Sequence, residues 1–454
     1  MNNNLYNQTV PTNQLWYVTT NNKPLETSND SFDVNIVSNV YENGLGVITF
    51  DAPLVKIRGS VGRWSSHLRA VYLPDSIEVV GDGAFSCNDG LREIKLGKGV
   101  KRIECCAFRE CKRLMSITIP DSVVCIGISA FSGCTALREV NFGPNSSLRE
   151  IEGCAFLHCA NLTVVELPEN VVSVGPSCFL GCGSIVEFRG RMATDDGLAL
   201  IDDNGAMVGF ANGCGLEEYA IPEGVKEVIS GVFSNNYALR SLTFPKSLRN
   251  VSGSSNFLDC EHLKEFKGKF ASKDGRCLIW RKRLLAVLLN GLTDYSIPQG
   301  VKYIDAESSF VGADNLKSIA FPEGLREIVL PLWCKYKPLS CVVYPSTLTK
   351  FDIFDIYMIA PDVFSKLHIF KGVEAPKTCR YCYLGLKGST ILVPKAGFKA
   401  YEESLLSGLQ YVDATLFKEP GYYPVDRYDG DWGVDNDASK LNTRVEVELI
   451  GVEL

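Results

Sequence analysis

Residues 114–134 read LMSITIPDSVVCIGISAFSGC, and the order of apolar and polar side chains in this stretch decides the fold. From Leu114 to Ile119 the alternation sends Ile117 and Ile119 inward and leaves Ser116 and Thr118 outside, the pattern of a half-buried strand. Pro120 lacks a backbone N–H and stops the ladder. Val123 and Ile126 form a second short apolar stretch on the return side. Ala130 and Phe131 then close the coil, the small residue leaving room for the ring. One such unit cannot bury its own apolar groups, so many must stack.

The stretch recurs. Segments starting at Leu73, Leu96, Ile119, Phe142 and Leu167 align with a period of 23 residues, stretched once to 25. Aromatic residues keep step at Phe85, Phe108, Phe131, Phe156 and Phe179, and the phase resumes at Phe233, Phe257, Phe310 and Trp333. A period of 20 to 29 with the skeleton L-x-x-I-x-I lies in the leucine-rich-repeat range. The expected fold is a mainly-β repeat solenoid, a right-handed leucine-rich-repeat superhelix with ~23-residue coils, two inserted hairpins and little helix. The full pattern, I-P-x-x-V-x-x-I-x-x-x-A-F-x-x-C-x-x-L, resembles the BspA-like leucine-rich repeat found in proteins of Bacteroides and related host-associated anaerobes, over roughly residues 50 to 410.

Two interruptions, from Phe188 and from Phe266, each carry an Asp-Gly turn (Asp196-Gly197 and Asp274-Gly275), then apolar runs and a return to Ile-Pro. Each reads as a strand and hairpin excursion between coils. The expected organisation is N-terminal capping strands at 1–49, repeats at 50–190, a hairpin at 191–220, repeats at 221–268, a second hairpin at 269–296, degenerate repeats with a C-terminal cap at 297–412, and an acidic, aromatic segment at 413–454. LWYVTT at Leu15 and GVITFDAPLVKI at Gly46 supply the first cap, since open solenoid ends need covers. The segment from Ile391 resembles the family's array ending, a last strand and a short helix. Gly62 stands where the first coil would carry its aromatic residue, and residues 346–390 keep the period poorly. The alternating stretch Arg444–Leu449 fits an added edge strand or a mobile tail.

Across the 454 residues, 46 basic and 53 acidic side chains give a net charge of −7, with Lys and Arg scattered. No concentrated basic stripe exists for nucleic acid. No apolar run approaches the roughly 20 residues of a membrane helix. Residues 1–18 have neither a basic n-region nor an apolar core, so the chain as given does not read as a secretory precursor.

Chemistry is thinly supplied. Cys111, Cys134, Cys159 and Cys182 each follow a repeat aromatic by three residues and should form a column of buried thiols. A column spreads ligands along an axis, whereas closed zinc sites need four converging tetrahedrally. Cys379 and Cys382 form a C-x-x-C outside any thioredoxin-like context. The four histidines, His67, His158, His262 and His368, offer no triad, and the chain does not read as an enzyme. The acidic string Asp426, Asp429, Asp431, Asp435 and Asp437 lacks the Gly and terminal Glu of an EF-hand and reads as a solvated linker. No catalytic, metal or cofactor residues are expected.

A stiff curved face is what such an array offers, and such faces bind macromolecules. Strand alternation places two columns on the outer face as the candidate partner-binding surface: Glu93, Ser116, Glu139, Val164 and Glu187 in one, Lys95, Thr118, Asn141, Glu166 and Arg189 in the other. The alternative reading of these residues is a solvated sheet face. The resemblance implies a bacterial surface or secreted protein that adheres to host-matrix, cell-surface or glycan ligands, located at the surface if a signal was removed and in the cytoplasm otherwise. An intracellular scaffold is the alternative, favoured by reduced-looking thiols. A carbohydrate-binding module would need clustered exposed aromatics, which the solvent-facing strand positions lack. A monomer is expected.

Overall fold

Proline and short polar turns restrict each coil to two brief strands, and these strands stack in register. The computed structural model describes Leu5 and residues 7–62, 65–313, 315–331, 341–354, 367–378, 390–401 and 448–452. The chain divides into two compact units: Met1–Arg240 with Pro245–His262, and Ser241–Phe244 with Leu263–Leu454.

In the first unit each coil contributes a front strand and a two-residue return strand. The return strands, Lys56–Ile57, Val79–Val80, Arg102–Ile103, Cys125–Ile126, Glu150–Ile151 and Ser173–Val174, form one six-stranded parallel sheet. Their register advances by one coil per strand, so Ile103, Ile126 and Ile151 stand side by side. Between front and return strands the rings of Phe85, Phe108, Phe131, Phe156 and Phe179 form a stack, with successive centroids 5.5, 5.2, 5.4 and 5.9 Å apart and planes within 8° of parallel. This is offset stacking repeated once per coil.

The first coil lacks its ring at Gly62, and the cap makes up the loss. Gly62 has φ +62°, and a Cβ there would lie 2.6 Å from Leu25 Cδ1. Leu25 therefore packs where a side chain of the first coil would otherwise lie. The cap itself is antiparallel: Ile36–Glu42 pairs with Leu45–Phe50 through an Asn43-Gly44 turn, Leu45–Phe50 with Gln14–Thr19, and Gln14–Thr19 with the first front strand, Leu68–Tyr72. Both turn residues have positive φ, as a two-residue hairpin loop requires.

Each Asp-Gly pair closes a short antiparallel bridge, Ala193 to Leu200 and Ala271 to Leu278, and a longer hairpin follows it. The pairs make tight turns ahead of the longer hairpins, with Gly197 N–H donating to Thr194 O and Gly275 N–H to Ser272 O, while Asp196 and Asp274 accept from backbone N–H groups two residues on. In the first hairpin Ala199–Ile201 pairs antiparallel with Ala206–Phe210, reversing through residues 202–205. Ala206–Phe210 then runs parallel to Glu227–Val228, taking the place of a return strand instead of leaving the array.

The second unit repeats this device. Cys277–Trp280 and Arg283–Leu288 reverse through Arg281 and Lys282, both at positive φ, and Arg283–Leu288 pairs parallel with Tyr303–Val311. Phe310 lies within that long strand, half-buried, instead of in a closing turn. The aromatic phase is thus replaced by a cluster in which Tyr344 lies 4.4 Å from Phe370 and Tyr401 donates to Gly372 O at 3.0 Å. Front strands Asp294–Ser296, Ser318–Ala320, Cys341–Tyr344, Leu367–Phe370 and Thr390–Pro394 are parallel, and Glu448–Val452 adds beside the last of them. The segment from Ile391 carries the expected strand and short helix, Thr390–Pro394 and Phe398–Tyr401, and the edge-strand reading of the alternating stretch holds from Glu448 on. Described helix is limited to three short 3-10 turns and Phe398–Tyr401. Trp333, Cys379, Cys382 and the acidic string Asp426–Asp437 lie outside the described residues.

Candidate partner-binding face

The front strands Glu93–Lys95, Ser116–Ile119, Glu139–Phe142, Val164–Leu167 and Glu187–Gly190 carry all ten candidate residues. Inward Ile94, Ile117, Val165 and Phe188 are buried. Alternation therefore leaves Glu93, Ser116, Thr118, Glu139, Asn141, Glu166 and Arg189 exposed, with Lys95, Val164 and Glu187 half-buried. Registry sets Glu139 beside Ser116, Asn141 beside Thr118, Val164 beside Glu187 and Glu166 beside Arg189.

Three of the ten are already engaged. The N-terminal segment lies over the first coils, where Val10, Ala70 and Tyr72 form a small buried cluster on the outer face, and Lys95 Nζ donates to Gln8 O at 2.7 Å. Arg189 donates two hydrogen bonds to Glu187, at 2.8 and 2.6 Å. Those bonds hold the Glu187 carboxyl below its usual range. The open part of the face is the stretch from Ser116 to Glu166.

Within that stretch the front sheet is split. Arg92 N–H donates to Arg69 O, Arg138 N–H to Met115 O and Val186 N–H to Thr163 O, all at 2.8 to 2.9 Å. Among the described residues no pairing joins Glu139–Phe142 to Val164–Leu167, nor Glu93–Lys95 to Ser116–Ile119. The first gap is a cleft of about 470 Å³ between Glu139 and Asn141 on one side and Glu166 and Glu169 on the other. Val140 and Phe142 are half-buried in it, though they occupy core positions. Neither side chain, nor Glu169, belongs to the two alternating columns. The signal that could have found them is the single 25-residue spacing from Phe131 to Phe156.

The thiol column is structural. Cys111, Cys134, Cys159 and Cys182 are buried, and each donates to the carbonyl of the aromatic residue one coil earlier (Phe85, Phe108, Phe131 and Phe156) at 3.0 to 3.2 Å. Cys260 continues the pattern to Phe233 O at 3.0 Å. The same position carries buried Asn88, whose Nδ2 donates to Phe85 O at 2.9 Å. The position therefore selects a small donor that adds a second hydrogen bond to a carbonyl which, at Phe108, Phe131 and Phe156, already accepts the backbone N–H three residues on. Burial also pushes the Cys111, Cys134, Cys159 and Cys260 thiols up, Cys134 and Cys260 to about 12. We expect these five thiols to react with a maleimide only on unfolding, followed by mass spectrometry; labelling of the native protein within minutes would contradict their burial.

Among the described residues one group, Cys125, Glu150 and Glu152, brings three ligand-type atoms within 4.8 Å. That is one donor short of a closed zinc site. Glu152 already accepts from Ile128 N–H at 2.9 Å. His67, His158 and His262 are exposed, and buried His368 sits against the Tyr344 hydroxyl at 3.1 Å.

Parallel coils with a front strand, a short return strand and a periodic buried ring define the leucine-rich-repeat class. The family model described as the BspA type leucine rich repeat region matches in six copies over residues 56–186, 208–272 and 289–354. The chain belongs to this family. The first two breaks between matched stretches include the starts of the two hairpins. The fold is similar to that of a leucine rich cell surface protein from Faecalibacterium prausnitzii, 22% identical, covering 75% of this chain and 89% of that one with a TM-score of 0.46. It is also similar to the pneumococcal vaccine antigen PcpA, 16% identical, covering 85% and 96% with a TM-score of 0.45. A third similar structure is a leucine-rich repeat protein from Bacteroides ovatus, 18% identical, covering 82% and 89% with a TM-score of 0.35. No curated protein matches the chain.

Proposed function

We propose that the chain is a non-catalytic recognition protein that binds a host-matrix or cell-surface protein through its outer face and acts as a monomer. The observation that carries this reading is the open stretch from Ser116 to Glu166, where unlike polar side chains stand in register over a rigid core. A rigid display of this kind limits the entropy lost on binding. A surface or secreted location fits the family, and one similar structure is of a cell surface protein. Among the described residues no helix is long and apolar enough to cross a membrane. The segment boundaries read from the repeat pattern are the organisation we propose for this function.

An intracellular scaffold is a second reading, favoured by one observation: among the described residues no disulfide joins any cysteine. Surface plasmon resonance of the full chain over immobilised collagen, laminin, fibronectin and fibrinogen separates the two. The adhesion reading expects at least one dissociation constant at or below about 1 µM. Binding to none of the four would overturn it in favour of the scaffold.

A further inference from the structure

We propose that the cleft between Glu139–Phe142 and Val164–Leu167 is the anchor pocket of the outer face and takes one lysine or arginine side chain of a protein partner. The proposal rests on the recognition reading above and names the chemistry of the partner.

The cleft adjoins an insertion. The ordinary front-to-return turns run Pro120–Val123 and Pro168–Val171, each closed by an N–H to carbonyl bond of 3.1 Å across three residues. In the intervening coil the turn runs from Gly143 to Leu148, two residues longer, and its closing bond is Ser146 N–H to Gly143 O. The longer turn sits at the exit of Glu139–Phe142, beside the strands that fail to pair. Backbone polar groups and the flanks of Val140 and Phe142 are left facing the gap.

An apolar floor under a charged rim matches a long cationic side chain, which buries its methylene stem and keeps its charged head at the surface. Glu139, Glu166 and Glu169 stand around the cleft, and Arg138 is the one basic residue lining it. Among the described residues none of these three carboxylates is in an ion pair, whereas Glu78, Glu187 and Glu265 are held by Lys101, Arg189 and Lys267. Arg189 stands beside Glu166 but is bound to Glu187, so the carboxylates still outnumber the guanidinium groups and favour a cation over an acidic or purely apolar group. A volume of about 470 Å³ has room for a long side chain together with its flanking residues. Arginine is among the residues that most often anchor protein interfaces.

The test is selection of a random heptapeptide phage library on the full chain at 0.15 M salt, with synthetic winners measured by fluorescence anisotropy. Enriched peptides should carry a Lys or Arg whose replacement by norleucine or citrulline weakens binding at least about tenfold. The double variant Glu139→Gln with Glu166→Gln should weaken them by a similar factor, while Glu150→Gln on the return side should not. Winners without a basic residue, equal affinity for the double variant, or no enrichment would each overturn the proposal. The matrix-protein measurement decides the wider recognition reading independently, so the two can fail separately.

Discussion

Replacing Phe131 by alanine should lower the unfolding free energy by about 3–5 kcal/mol, the usual cost of truncating a buried ring. Phe131 is 0% exposed and stacks on Phe108 at 5.2 Å and Phe156 at 5.4 Å. Both neighbours lose a partner at once. The cavity cannot close easily, because parallel return strands in register hold the coils on either side at a fixed spacing. Chemical denaturation of the full chain checks this, read as a shift in midpoint at constant slope. A loss below about 1 kcal/mol would mean that the ring stack is not what holds the coils together.

The second large effect is alkaline. In the unfolded chain Cys134 and Cys260 ionise near the usual thiol value of 9.0, while burial keeps them protonated to about 12 in the fold. Between those values the unfolded chain binds fewer protons, so stability is full below pH 9 and falls as pH rises toward 12. Each of the two thiols contributes about 4 kcal/mol across the window by linkage. Burial raises Cys111 and Cys159 in the same direction. We expect the denaturation midpoint to fall steadily from pH 9 to 11, and to fall less steeply in Cys134→Ala, which removes one titrating group. A midpoint that stays flat to pH 11 would contradict thiols that are both buried and free.

The coil itself was legible because its determinants are local. Ile117 and Ile119 alternate with Ser116 and Thr118 within one strand, and Phe131 returns at the coil period, so burial pattern and register both follow from sequence. Contacts across long separations were not legible. Lys95 reads as a free member of the outer column, yet Gln8 lies 87 residues away along the chain and accepts its hydrogen bond. Asp-Gly signals a tight turn wherever it falls, so the pattern could not say whether Asp196-Gly197 closes the longer hairpin or precedes it. Phe310 keeps the aromatic spacing but lies in a nine-residue strand, because Arg283–Leu288 offers it an extended partner. The cleft was half legible. The 25-residue spacing gives the size of the insertion, but only the structure places a cleft beside it, lined from Arg138 to Ser146 and from Thr163 to Asn170.

The central claim is that the open part of the outer face makes the partner contact. Its most direct test is surface plasmon resonance on the matrix protein that the wild-type chain binds most tightly, with Glu139→Lys/Glu166→Lys compared against Glu150→Lys. All three positions are exposed, so melting temperatures should stay within a degree or two of wild type. The account predicts at least a tenfold loss of affinity for the front-face double variant and none for Glu150→Lys. Unaltered affinity in the double variant would contradict it and move the contact to the hairpins or to the acidic C-terminal segment.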